Sequence, residues 1–178
     1  MFRNPLQTAV VFSILALLVK IIIYLLGVQH GDMERYIVFI YMFIVMLAVF
    51  VGIRQNKVYA EKATTFGEDF KVGARTASIF GLLVGVITYF YYNNIDITFF
   101  EVKKSPIIDA VMEETKAKLT NEGKAEAVKF LSNQLFALNT MLSPYYQAMV
   151  TFMGLTFLGL FDSLLLSFLM KKVPGFKK

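Results

Sequence analysis

The stretch Gly73-Ala-Arg-Thr-Ala-Ser-Ile-Phe-Gly-Leu-Leu-Val-Gly85 decides how this chain is read. It sets Gly73, Ala77, Gly81 and Gly85 four residues apart. On an α-helix that spacing puts all four on one narrow stripe. With no bulky side chain on the stripe, a neighbouring helix can approach backbone to backbone, and helices in lipid associate largely through such contacts. The run continues through Val86-Ile-Thr-Tyr-Phe-Tyr-Tyr92, apolar nearly all round and long enough to cross a bilayer. It reads as the third of four spans.

Working outward, the composition agrees. The 178 residues are 57% hydrophobic and 17% charged, with mean hydropathy +0.60. Water-soluble domains average about 45–50% apolar and about 25% charged. Apolar runs predict spans at about 6–26, 36–53, 70–92 and 145–170. The expected fold is all-α: a single integral-membrane domain over 1–178, a four-helix bundle. An extracytoplasmic helical hairpin is expected between the third and fourth spans, as an outer insertion at 93–144. Asn4-Pro5 suits the start of the first helix, with Asn as cap and Pro at the first helical position. A cleaved leader is not expected, because Leu25-Leu26-Gly27-Val28 offers no small-residue cleavage pattern.

Orientation follows from Lys and Arg in the short loops. The 27–35 loop holds only Arg35, whereas 54–71 holds Arg54, Lys57, Lys62 and Lys71. The tail from Lys171 to Lys178 holds four lysines. Both termini and the 54–71 loop are therefore expected in the cytoplasm, with 27–35 and 93–144 on the far side. Tyr24, Tyr36, Tyr89, Tyr91, Tyr92, Tyr145 and Tyr146 fall at the expected outer ends of spans, like an interfacial aromatic belt. The net charge of +5 sits mostly beside spans. Topology and anionic head groups explain that placement, and nucleic acid is not an expected partner.

The outer segment reads as two helices. Ser105-Pro106 is the expected start of the first, and Asn121-Glu122-Gly123 breaks it. The second carries Val128, Leu131, Leu135, Leu138 and Leu142 as a seam on one face, open to the first helix, the membrane surface or a partner.

Two charges fall inside spans, Lys20 and Asp162. Intramembrane ionisable groups point to function by default. Lys20 is expected to snorkel outward. Arg75 is the expected structural partner of Asp162; the alternatives are a solvated or lipid-facing carboxylate and a proton- or ion-handling one. The fourth span has its own small-residue stripe, Gly159, Ser163 and Ser167. Two such stripes favour packing of the third span on the fourth, over a homo-oligomer or partner contact.

The other motifs carry little chemistry. His30-Gly31-Asp32-Met33-Glu34 lacks the second His or Cys a zinc site would use. There is no Cys and one His, and no nucleophile–base pair or phosphate-binding glycine loop. No cofactor and no catalytic residue is expected. Before the third span, Thr64 or Thr65 is expected to cap a helix whose first turns hold Glu68 and Asp69. The alternative is a docking surface with Lys71 and Arg75 on lipid phosphate.

At Gly52-Ile53-Arg54 and Thr65-Phe66-Gly67-Glu68-Asp69-Phe70-Lys71-Val72-Gly73 the chain resembles domain-of-unknown-function family 4199, small four-span inner-membrane proteins of Bacteroidota. The likeness extends to the short first loop, the long outer segment and the basic tail. It implies a bacterial inner membrane and a periplasmic 93–144 segment. It hints at a polyprenyl-phosphate glycosyltransferase as neighbour, and supplies no activity. The expected function is a non-enzymatic accessory or scaffold subunit holding a membrane-protein partner. The alternatives are a small transporter or proton-linked carrier using Asp162, and an enzyme on lipid-linked substrate. The last would need a pocket gathering Glu68, Asp69, Lys71 and Arg75.

Overall fold

Asn4 starts the first helix. Its Oδ1 accepts a hydrogen bond from the Gln7 amide at 2.9 Å, and Pro5, with no amide hydrogen to lose, follows it. The helix ends where Gly27 takes φ of 68°, a left-handed conformation that glycine adopts without a Cβ penalty. The computed structural model describes residues 4–31, 33–60, 62–121 and 123–172. Asp32, Glu122, Lys177 and Lys178 lie outside the described residues.

Six helices fill the described chain, and it contains no strand: α1 Pro5–Leu25, α2 Met33–Tyr59, α3 Phe66–Asn94, α4 Phe99–Asn121, α5 Lys124–Met141 and α6 Pro144–Lys172. Four are long and apolar enough to cross a membrane: Pro5–Leu25, Tyr36–Tyr59, Phe66–Asn94 and Pro144–Lys172. At 1.5 Å per residue the shortest is about 32 Å long, enough for a hydrocarbon core of about 30 Å. Less than half of the most apolar stretch of each is buried inside the protein. Leu18, Phe43, Leu82 and Phe157 instead face outward, each at least half exposed. Water would penalise such a surface heavily; lipid does not, and this marks a membrane protein.

By contact, the chain forms two compact units, Met1–Ile87 with Ala148–Lys178, and Thr88–Gln147. The first unit has a core built chiefly from α2 and α3. Val45, Ala48, Val49 and Ile53 pack with Ala77, Phe80 and Val84, and α1 and α6 add Ala9, Ala16, Leu155 and Met170. Small residues keep the helices close, and the Tyr41 hydroxyl donates to the Ala16 carbonyl at 3.4 Å.

Two boundaries differ from expectation. The second span was predicted to end at Ile53, but α2 continues to Tyr59, so Arg54 and Lys57 ride on helix. The connection to α3 is correspondingly short, and α3 begins at Phe66, as the expected cap at Thr64 or Thr65 requires, so that the entry turn and the span expected from about 70 are one helix.

In the second unit, Ser105-Pro106 does not start a helix. α4 begins at Phe99 and carries Pro106 inside it. The earlier start has a physical cause. The Phe99 amide donates to the Asp96 carbonyl at 3.3 Å, closing a turn. Tyr92, Phe99 and Phe100 then form an aromatic cluster, with ring centroids 4.6 Å apart for Tyr92–Phe99 and 4.9 Å for Tyr92–Phe100. Burying those rings outweighs the one helix hydrogen bond that Pro106 cannot donate. α4 and α5 lie antiparallel. Lys104 Nζ, early in α4, donates to Asn139 Oδ1, late in α5, at 3.0 Å. Lys118, late in α4, sits 5.0 Å over the Phe130 ring.

Candidate functional site

Two features of α3 organise the first unit: the face it turns to α6 and the junction where it leaves α2.

The small-residue stripe faces α6. A Cβ added at Gly73 would lie 2.9 Å from Ser163 Cβ; at Gly81, 2.5 Å from Thr156 Oγ1; at Gly85, 2.9 Å from Phe152 Cβ. From the other side, a Cβ at Gly159 would lie 2.5 Å from Ala77 Cβ. Those separations leave no room for a methyl group, so the glycines are needed for the helices to touch at all. The stripe is taken up inside the chain, and a homo-oligomer would have to use another surface. The Ser163 hydroxyl donates back to the Gly159 carbonyl at 2.6 Å, and Ser167 is fully buried on the same helix.

Asp162 does not pair with Arg75. The carboxylate is buried and its Oδ2 has no hydrogen-bond partner, whereas Arg75 is exposed and no ion pair joins the two. Helix geometry explains the separation. Arg75 lies two residues from both Gly73 and Ala77, about 160–200° round the helix from the stripe that meets α6. Lys20, expected to reach outward, is buried at 4% exposure.

The junction is where charges meet. Lys57 Nζ lies 2.7 Å from Asp69 Oδ2, with side chains 9% and 1% exposed. Lys57 also donates to Thr64 Oγ1 at 3.1 Å. The last turns of α2 are thereby fastened to the first turn of α3 and to the loop between them. Thr65 caps α3 in a reciprocal arrangement. Glu68 Oε2 accepts from the Thr65 amide at 2.8 Å, while the Glu68 amide donates to Thr65 Oγ1 at 3.3 Å. The predicted alternatives, Thr64 or Thr65, thus divide: Thr65 caps, and Thr64 serves the lysine. The Lys57–Asp69 pair has no sequence signature; its members are twelve residues apart, across a connection read as loop.

Beside this clamp lies an open cleft of about 680 Å³, lined by residues that include Asn56, Lys62, Thr64, Glu68, Lys71 and Arg75. Of the four groups an enzyme site would gather, Glu68, Lys71 and Arg75 line the cleft, and Asp69 is withheld in its ion pair. Lys71 and Arg75 also border a shallower groove of about 400 Å³ that continues along α3 over Phe70, Ala74, Ser78 and Ile79.

On the second unit the α5 seam is split. Leu131, Leu135 and Leu138 are half-buried, whereas Val128 is exposed. Phe136, off the seam, is 75% exposed.

In comparisons with known proteins, a family model described as "Protein of unknown function (DUF4199)" matches residues 7–172. No curated protein and no solved structure matches.

Proposed function

The chain belongs to the DUF4199 family, and since the family's description carries no activity, we propose its function from geometry: a non-enzymatic accessory or scaffold subunit of a membrane complex. The observation that carries this reading is the apolar surface of the α4–α5 pair. These helices are not among the four apolar enough to cross a membrane. They nonetheless expose Leu119, Val128 and Phe136. Large side chains of this kind on a helical pair outside the spans mark a contact surface. The partner in this reading is another membrane protein, of which a membrane glycosyltransferase is one class. The membrane is a bacterial inner membrane, both termini are cytoplasmic, and residues 93–144 are periplasmic.

A photo-crosslinking residue at Phe136, activated in intact membranes, tests the partner. A discrete crosslink to one other protein is expected; crosslinks to lipid alone would overturn the reading. Orientation has a clean test because the chain has no Cys. A single Cys at Thr115 is expected to react with an impermeant reagent from outside the inner membrane, and labelling from the cytoplasm alone would reverse the topology.

A second reading, a proton-linked carrier, is favoured by one observation: Asp162 is buried with an oxygen that has no hydrogen-bond partner. Asp162→Asn is then expected to abolish proton-coupled flux in proteoliposomes while the fold survives. Unchanged flux would remove that reading.

A further inference from the structure

We propose that the cleft at the α2–α3 junction, with the groove leading from it along α3, binds one anionic phospholipid, its phosphate on Lys71 and Arg75 and one acyl chain over Ala74, Ser78 and Ile79. Three observations carry this, none of them used for the accessory role above.

The first is charge. Lys62, Lys71 and Arg75 line the cleft together with one carboxylate, Glu68. That carboxylate is turned to the Thr65 amide and hydroxyl, at 2.8 and 3.0 Å. Among the described residues, the other acid at the start of α3, Asp69, is neutralised by Lys57 at 2.7 Å. Among its described residues the cleft therefore keeps an excess of cations, and Lys62, Lys71 and Arg75 enter no ion pair with a described residue. A phosphodiester supplies the missing anion, and Arg offers it two parallel donors.

The second is continuity. Lys71 and Arg75 border both the polar cleft and the groove, so the phosphate site opens directly onto an apolar track. A free phosphate would have no use for that track.

The third is depth. Positions 71, 75, 78, 82 and 86 follow one another at helical spacing, and Leu82 and Val86 are exposed. Ten residues below Arg75 is about 15 Å, one leaflet of a core about 30 Å thick. A lipid whose head sits at Arg75 therefore ends its chain near Gly85, where a lipid of that leaflet should end.

Native mass spectrometry of the full chain in mild detergent tests the assignment. The probes are phosphatidylglycerol, phosphatidylcholine with the same chains, and inorganic phosphate. One phosphatidylglycerol is expected to be retained in preference to phosphatidylcholine, and millimolar inorganic phosphate is expected not to displace it. Lys71→Gln with Arg75→Gln should weaken retention by roughly 30-fold, from the loss of two interfacial cations. Ser78→Leu, which fills the groove and leaves the charges, should weaken it as well. Lys71→Arg should retain the lipid, and Lys171→Gln with Lys172→Gln should change little. All the replaced side chains are exposed, and far-UV circular dichroism confirms that each variant is folded. Equal retention of the two lipids, an unaffected Lys71/Arg75 variant, or an equal loss in the Lys171/Lys172 variant would overturn the proposal. Full displacement by inorganic phosphate would reassign the site to the free anion and overturn it too.

Discussion

Consider cutting the clamp at the α2–α3 junction. Asp69 is 1% exposed and Lys57 9%, at 2.7 Å, with Thr64 as the lysine's other partner. Removing one member leaves the other charge buried with no counter-ion, a loss that typically costs about 3–5 kcal/mol. Asp69→Leu strands an ammonium that keeps only a threonine hydroxyl. Lys57→Met strands a carboxylate whose Oδ1 already lacks a hydrogen bond. Each single variant should therefore be destabilised by about 3–5 kcal/mol, two to nearly four orders of magnitude in the unfolding equilibrium. The double variant Lys57→Met/Asp69→Leu removes both buried charges together and should lie within about 2 kcal/mol of the parent, or above it. The assay is equilibrium unfolding in mixed micelles of increasing dodecyl sulfate, followed by far-UV circular dichroism. A coupling energy of several kcal/mol is expected from the cycle. Single variants whose losses simply add in the double variant would refute the reasoning, since they would show that the two charges do not sense each other.

Four other outcomes are expected. Gly81→Val should destabilise the protein by about 1–3 kcal/mol in the same assay, because its Cβ would lie 2.5 Å from Thr156 Oγ1 and 3.2 Å from the Phe152 carbonyl. Gly154→Ala, where an added Cβ meets nothing within 4 Å, should be neutral or gain about 0.5–1 kcal/mol. Thr65→Ala removes the α3 cap and should cost about 1 kcal/mol, read as a lower unfolding midpoint. Pro106→Ala restores a helix amide inside α4 and should stabilise that helix by up to about 3 kcal/mol, seen as slower hydrogen exchange at residues 102–110.

What could be read in advance was what lipid enforces. A span must satisfy its own backbone, so length and apolarity announce it, and a four-residue repeat of small side chains announces a close neighbour. The stripe from Gly73 to Gly85 and the stripe of Gly159, Ser163 and Ser167 favoured each other over a homo-oligomer or partner contact, and Gly73 meets Ser163 as Ala77 meets Gly159. The helix ends were harder. Arg54 and Lys57 look like loop residues by charge, yet a helix continues past the hydrocarbon once its cations reach water, as Arg54 does, or a partner, as Lys57 does. Pro106 after Ser105 looks like a helix start, yet the Tyr92–Phe99–Phe100 cluster, whose members find one another only after folding, sets the start seven residues earlier. The Lys57–Asp69 pair is long-range and invisible to spacing. The Arg75–Asp162 expectation failed on azimuth. Counting two residues from the glycine stripe would have turned Arg75 away from α6.

The ladder between α3 and α6 has an ambiguity built into its period. Gly73 meets Ser163, Ala77 meets Gly159, Gly81 meets Thr156 and Gly85 meets Phe152. Sliding α6 by one turn, about 6 Å, would bring Ser167, Ser163, Gly159 and Thr156 opposite the same four residues, again small upon small. The small side chains permit contact without choosing between these alignments. Phe152 opposes this slide: its ring-bearing Cβ sits over Gly85, and one turn further on, at 88–89, the glycine track has ended and every residue carries a full side chain. A benzyl group at the end of a glycine track thus serves as the stop that sets how far one helix travels along the other.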